Sequence, residues 1–138
     1  MSISLNAHAN VIIGHIDSTG SYIITAPTTQ LDSIFSTVTI FDDWVPSDYE
    51  ITYDSVNVLY HLQAKGTGIG PNLGNIAALR IYISQSAGVF TQGSEPPTGV
   101  AKSETCTGDP CSTCKFLPSG GCFCGSSAEG HCNHTITR

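Results

Sequence analysis

The sequence predicts an all-β protein: an antiparallel β-sandwich, jelly-roll-like, followed by a small cysteine-rich, loop-rich C-terminal module. Three observations carry this expectation. Apolar residues alternate with polar ones over the first hundred positions, turn-forming residues punctuate them at short intervals, and all six cysteines fall within residues 106–138. Strict alternation places every second side chain on one face of a strand, the pattern of a sheet with one buried face.

The alternation is clearest in three stretches. Val56, Val58, Tyr60, Leu62 and Ala64 share one face of a strand expected over residues 55–64. Leu79, Ile81 and Ile83 alternate with Arg80, Tyr82 and Ser84, and Tyr49, Ile51 and Tyr53 alternate with Glu50, Thr52 and Asp54. Further strands are expected near residues 3–9, 10–16, 21–26, 34–41 and 88–91, which are rich in Ile, Val, Thr, Tyr and Phe. Asp17-Ser18-Thr19-Gly20, Ala26-Pro27, Val45-Pro46-Ser47-Asp48 and the glycine-rich 66–72 stretch separate them. Residues 73–79 are the one place where a short helix could begin.

A β-sandwich domain is therefore expected over 1–92. A linker over 93–105 contains Pro96-Pro97, which lack backbone donors and fix φ. A cysteine module follows over 106–138. That last segment offers few large apolar side chains, namely Phe116, Leu117, Phe123 and Ile136. Below roughly 40 residues, packing alone does not offset chain entropy, so cross-links are required.

The cross-links fall on Cys106, Cys111, Cys114, Cys122, Cys124 and Cys132. An even cysteine count with Gly- and Ser-rich spacers fits three disulfides in an oxidising compartment. Cys122 and Cys124 are too close to bridge each other, and the remaining connectivity is open. The alternative is zinc, with Cys111, Cys114, Cys122, Cys124 and His134 as candidate ligands, because tetrahedral zinc takes four such S or N donors. The Cys122-x-Cys124 spacing is tighter than usual for a zinc knuckle, and no ferredoxin run is present.

Charge narrows the partners. The net charge of −6 resides in residues 1–100, which hold eight acids and two bases, whereas residues 101–138 hold three of each. No basic cluster exists, which argues against nucleic acid and anionic membranes. No apolar run approaches the ~20 residues of a membrane-spanning helix. Met1-Ser2-Ile3-Ser4-Leu5 lacks the features of a signal peptide, so the chain reads either as cytosolic or as a mature secreted form. The cysteines favour an extracellular or cell-surface location.

Five carboxylates lie within residues 42–54, and Asp42, Asp43, Asp48 and Glu50 with Trp44 form a candidate calcium or sugar site. Oxygen ligands suit Ca²⁺, and an aromatic platform formed by Trp44, Tyr49 and Tyr53 beside carboxylates suits a glycan. The alternative is a solvated acidic loop. The glycines of residues 66–74 match no phosphate-binding motif. His8, His15 and His61 sit on separate expected strands, and no signature of a hydrolase or metalloprotease is present.

These features, with 31 Ser and Thr residues and only 12% charged ones, point to a non-enzymatic extracellular structural protein. A surface or filament subunit that self-associates, with a disulfide-reinforced tail, is the expectation. A carbohydrate- or calcium-binding module and an intracellular zinc protein are the alternatives. No cofactor is expected unless zinc or calcium fills one of these sites.

Overall fold

The computed structural model describes residues 10–109, 114–117, 121–124 and 131–137. The strand expected over 3–9 lies outside them. The fold is mostly antiparallel β. Strands β1 (Val11–Ile16), β2 (Tyr22–Ile24), β3 (Trp44–Asp54), β4 (Leu59–Gly68), β5 (Ile76–Ser86), β6 (Val89–Gln92), β7 (Ser103–Asp109) and β10 (His131–Thr137) form one sheet. A small second sheet pairs β8 (Cys114–Phe116) with β9 (Cys122–Cys124).

Strand β5 organises the sheet. Its first part lies between β4 and β7, and β3 and β10 extend this half outward to give β3-β4-β5-β7-β10. Its last residues, Ser84 to Ser86, pair instead with β6, which leads to β1 and β2. Ala77, Leu79, Ile81 and Ile83 from β5 meet Ile13 of β1 and Phe90 of β6 in one core, so the sheet curls over on itself. The two ends approach each other where the Tyr22 ring meets the Tyr60 ring edge-on at 5.8 Å.

Tight turns make this curl. Ala87 and Gly88 both have positive φ, 52° and 80°, the two-residue turn whose twist matches an antiparallel hairpin. At Gly14 a β-carbon would lie 1.9 Å from the Ile23 carbonyl oxygen, so only glycine permits β1 and β2 to approach beside the register break in β1.

Three expectations are corrected. Residues 34–41 do not form a strand; Thr28–Ser36 is an α-helix, α1, followed by a 3₁₀ turn over Thr39–Phe41. Pro27 pre-sets the backbone at its start, and its carbonyl accepts hydrogen bonds from the Gln30 and Leu31 N–H groups. Leu31, Ile34 and Phe35 repeat at helical spacing and bury one stripe in the core. Residues 73–79 hold no helix: a 3₁₀ turn ends at Asn72, and β5 begins at Ile76.

The third correction concerns Val56 and Val58, which are 63% and 69% exposed instead of lying on the buried face. Asp54 is the cause. Its side chain accepts hydrogen bonds from the Val56 N–H, the Asn57 N–H and the Asn57 amide, which closes a turn before β4 starts at Leu59. Leu62 and Ala64 are buried as the alternation predicts.

Candidate functional site

The cysteine-rich segment is built onto the sheet. Strand β7 pairs with β5 and β10 pairs with β7, and the β8–β9 hairpin lies over their outer face. Two disulfides fix it there. Cys106 of β7 bonds Cys122 of β9, and Cys114 of β8 bonds Cys132 of β10. Cys106 and Cys114, with Ala78, form a second, small apolar cluster against Phe116, Cys122 and Cys132.

These bonds bear on the zinc reading, because the sulfurs of Cys114 and Cys122 are no longer thiolates and cannot ligate metal. Cys111 and the side chain of Cys124 lie outside the described residues. His134 is engaged with Glu104. Among the described residues no group of three or more His, Cys, Asp and Glu side chains is placed to hold a metal ion.

Beside the hairpin lies a cluster of buried charges. Arg80 of β5 stands directly opposite Glu104 of β7, and its Nε donates to Glu104 Oε2 at 2.8 Å. The other carboxylate oxygen pairs with His134 Nε2 at 2.8 Å. His61 Nε2 stands 3.7 Å from Oε2, and its Nδ1 is buried without a protein partner. The Phe116 ring covers the guanidinium at 4.1 Å, so the hairpin shields the ion pair from water. A cleft of about 240 Å³ adjoins the cluster, lined by Asp54, His61, Arg80, Glu104, His134 and neighbouring apolar residues.

The electrostatics follow from burial. Desolvation is the largest influence on His61 and, with the Arg80 charge, pushes its pKa down to about 4, so the ring is neutral at pH 7. Burial also acts on Glu104, in the raising direction. The hydrogen bond and charge of Arg80 outweigh it, and with His134 they hold the carboxyl below its ordinary range. Asp54 is likewise lowered: its turn hydrogen bonds and Arg80 overcome desolvation. Arg80 and Glu104 are thus held as an ion pair beside a neutral His61.

Of the residues expected to bind calcium or sugar, Asp48 and Glu50 come together and Trp44 does not join them. Trp44 begins β3 facing inward and is 7% exposed, so it offers no face to a sugar. Tyr49 packs on Phe35 and donates its hydroxyl to Asp32, which leaves Tyr53 as the exposed member of the expected platform. Asp42 and Asp43 occupy the turn before β3, and Asp48 and Glu50 flank a register break within it. Asp48 and Glu50 line a separate cleft of about 410 Å³ with Lys65 and Lys115. His15 is exposed on β1 between Ile23 and Val89, whereas His61 is buried, and His8 lies outside the described residues.

The Arg80–Glu104–His134 cluster escapes sequence reasoning. Arg80 alternates with Leu79 and Ile81, which assigns it to solvent, and nothing local indicates that a hairpin remote in sequence will cover it.

The sheet edges form the remaining candidate surface. Strand β3 is guarded by Pro46, by the register break around Asp48 with its positive φ of 53°, and by the Asp48 and Glu50 carboxylates. Strand β2 has only three residues. Strand β10 has seven, with no Asp, Glu, Lys, Arg or Pro among them, and among the described residues it pairs with β7 alone. No family model, curated protein or solved structure matches this chain.

Proposed function

We propose that this protein is a non-enzymatic structural protein of the extracellular space or cell surface, a surface or filament subunit that associates with copies of itself. The observation that carries the reading is the placement of the disulfides. Each joins a strand of the main sheet to the β8–β9 hairpin, so covalent reinforcement falls on the flank of the sheet that ends in β10. Disulfides persist in oxidising compartments, and among the described residues no helix is long and apolar enough to cross a membrane.

The buried cluster supports a structural role. The Arg80 and Glu104 charges pair with each other, and no hydroxyl or thiol side chain lines the adjoining cleft. A charged-residue share of only 12%, with 31 Ser and Thr residues in the chain, suits close association of copies.

Two measurements test the reading. Intact mass should rise by about six units on reduction if all six cysteines are paired. Six free thiols before reduction would exclude an oxidised extracellular protein. Sedimentation over a wide concentration range should show reversible association; a monodisperse monomer at the highest concentration would count decisively against a self-assembling subunit.

A further inference from the structure

We infer that the interface between copies is the outer edge of β10, which pairs antiparallel with β10 of a second copy about a two-fold axis near His134. This rests on the self-association proposed above and assigns it a place.

The edges of the sheet are unequal. An open strand edge is a row of unpaired donors and acceptors, and proteins blunt such rows with proline, charge, bulges or shortness. Strand β3 carries the first three of these devices and β2 the fourth. Strand β10 carries none of them over His131–Thr137, and Asn133, His134 and Thr135 are exposed.

Charge selects a second copy as the occupant. Residues 1–100 hold the entire net charge of −6, whereas residues 101–138 are neutral, so two copies repel least when their C-terminal flanks meet. Pairing of β10 with itself brings no formally charged residues face to face. Centred on His134, it sets Asn133 opposite Thr135 and Cys132 opposite Ile136. Pairing of β10 with β3 of another copy would meet Pro46 and the register break, losing hydrogen bonds at both.

The edge is also pre-ordered. All seven residues of β10 are in register with β7, and Cys132 is tied to Cys114. A rigid strand loses little entropy on docking. Pairing would join β3-β4-β5-β7-β10 to its two-fold mate as one continuous sheet.

Paired charge variants in sedimentation velocity test the inference on the full chain. Asn133→Lys with Thr135→Lys sets like charges opposite each other twice across the axis and should weaken association by about tenfold or more. Asn133→Lys with Thr135→Glu sets opposite charges in the same two places and should associate at least as tightly as the wild type. Intact mass and thermal unfolding establish that both variants are folded and oxidised. If the double-lysine variant associates like the wild type, the β10 interface is wrong while self-association stands. If both variants weaken equally, the antiparallel two-fold register is wrong. A wild type that stays monomeric throughout overturns the self-association reading and the interface with it.

Discussion

Strand β5 presents two faces to two different environments. On the inner face, Leu79, Ile81 and Ile83 pack with Phe35 and Leu31 of α1, Phe41, Trp44 and Phe90. On the outer face, Ala78 and Arg80 lie under a small hairpin held by two disulfides, with a buried ion pair where a core would otherwise be. The inner side gains from area removed from water and from dispersion, which scale with the number of large side chains. The outer side has few such side chains and relies on covalent constraint and charge pairing. One strand thus takes part in two kinds of stability, and perturbations of each should differ in size and reach.

The largest effect should come from the inner face. Phe35 is fully buried and stacks on Phe41 at 5.2 Å. Phe35→Ala should cost about 3–5 kcal/mol, read as a lowered urea midpoint that coincides for near- and far-UV signals. A change confined to one signal would mean that the inner core is not a single cooperative unit.

On the outer face, Arg80→Met strands the Glu104 carboxylate in a buried site and should cost about 3–5 kcal/mol. Adding Glu104→Leu should recover much of that loss, because the unpaired charge is then gone. A double variant as unstable as the single one would show that the ion pair itself contributes net stability.

Removing one disulfide through Cys114→Ala with Cys132→Ala should cost about 3 kcal/mol for its separation of 18 residues. Amide exchange should rise first in β8, β9 and β10 while β4 and β5 stay protected. Uniform exposure would erase the distinction between the two faces.

Acid should act through the outer face as well. His61 has its pKa lowered to about 4 in the folded state from 6.5. Above pH 6.5 the ring is neutral in both states, and between pH 6.5 and 4 the unfolded chain binds a proton that the folded one does not. Stability therefore falls as pH drops through that window, by roughly 2–3 kcal/mol. Glu104, held below its ordinary value, adds a loss in the same direction as pH falls further. His61→Phe should flatten the first part of the curve, and an unchanged slope would remove His61 as its source.

The smallest effect lies outside both faces. Val58 has a φ of 56° in the exposed turn before β4, a conformation that β-branched residues disfavour. Val58→Gly should raise stability by about 1 kcal/mol, and a loss would mean that the turn is held by more than Asp54.

Much of the inner face was legible in the alternation of Leu79, Ile81, Ile83, Leu62 and Ala64. Helix α1 was also written in the chain, as Pro27 followed by Leu31, Ile34 and Phe35 at helical spacing. The richness of residues 34–41 in β-favouring side chains masked it, because propensity is weaker than tertiary context. Val56 and Val58 fit a strand by pattern but were displaced by hydrogen bonds to Asp54, whose turn chemistry overrides alternation. Of the candidate binding residues around Trp44, Asp48 and Glu50 share a cleft, whereas Trp44 itself is buried. Consecutive side chains of a strand point to opposite faces, so closeness in sequence does not gather them on one side.

What the sequence determined by itself was the class of structure: antiparallel strands from period-two patterning, and cross-linking from a segment too poor in apolar residues to fold by packing. Tertiary structure alone decided that the cysteine segment extends the main sheet, that Arg80 and Glu104 are buried, and that β10 is, among the described residues, an edge without proline, formal charge or register break. Each of these depends on strands distant in sequence coming side by side. Local composition cannot encode which neighbour covers a side chain or which strand is last in the sheet.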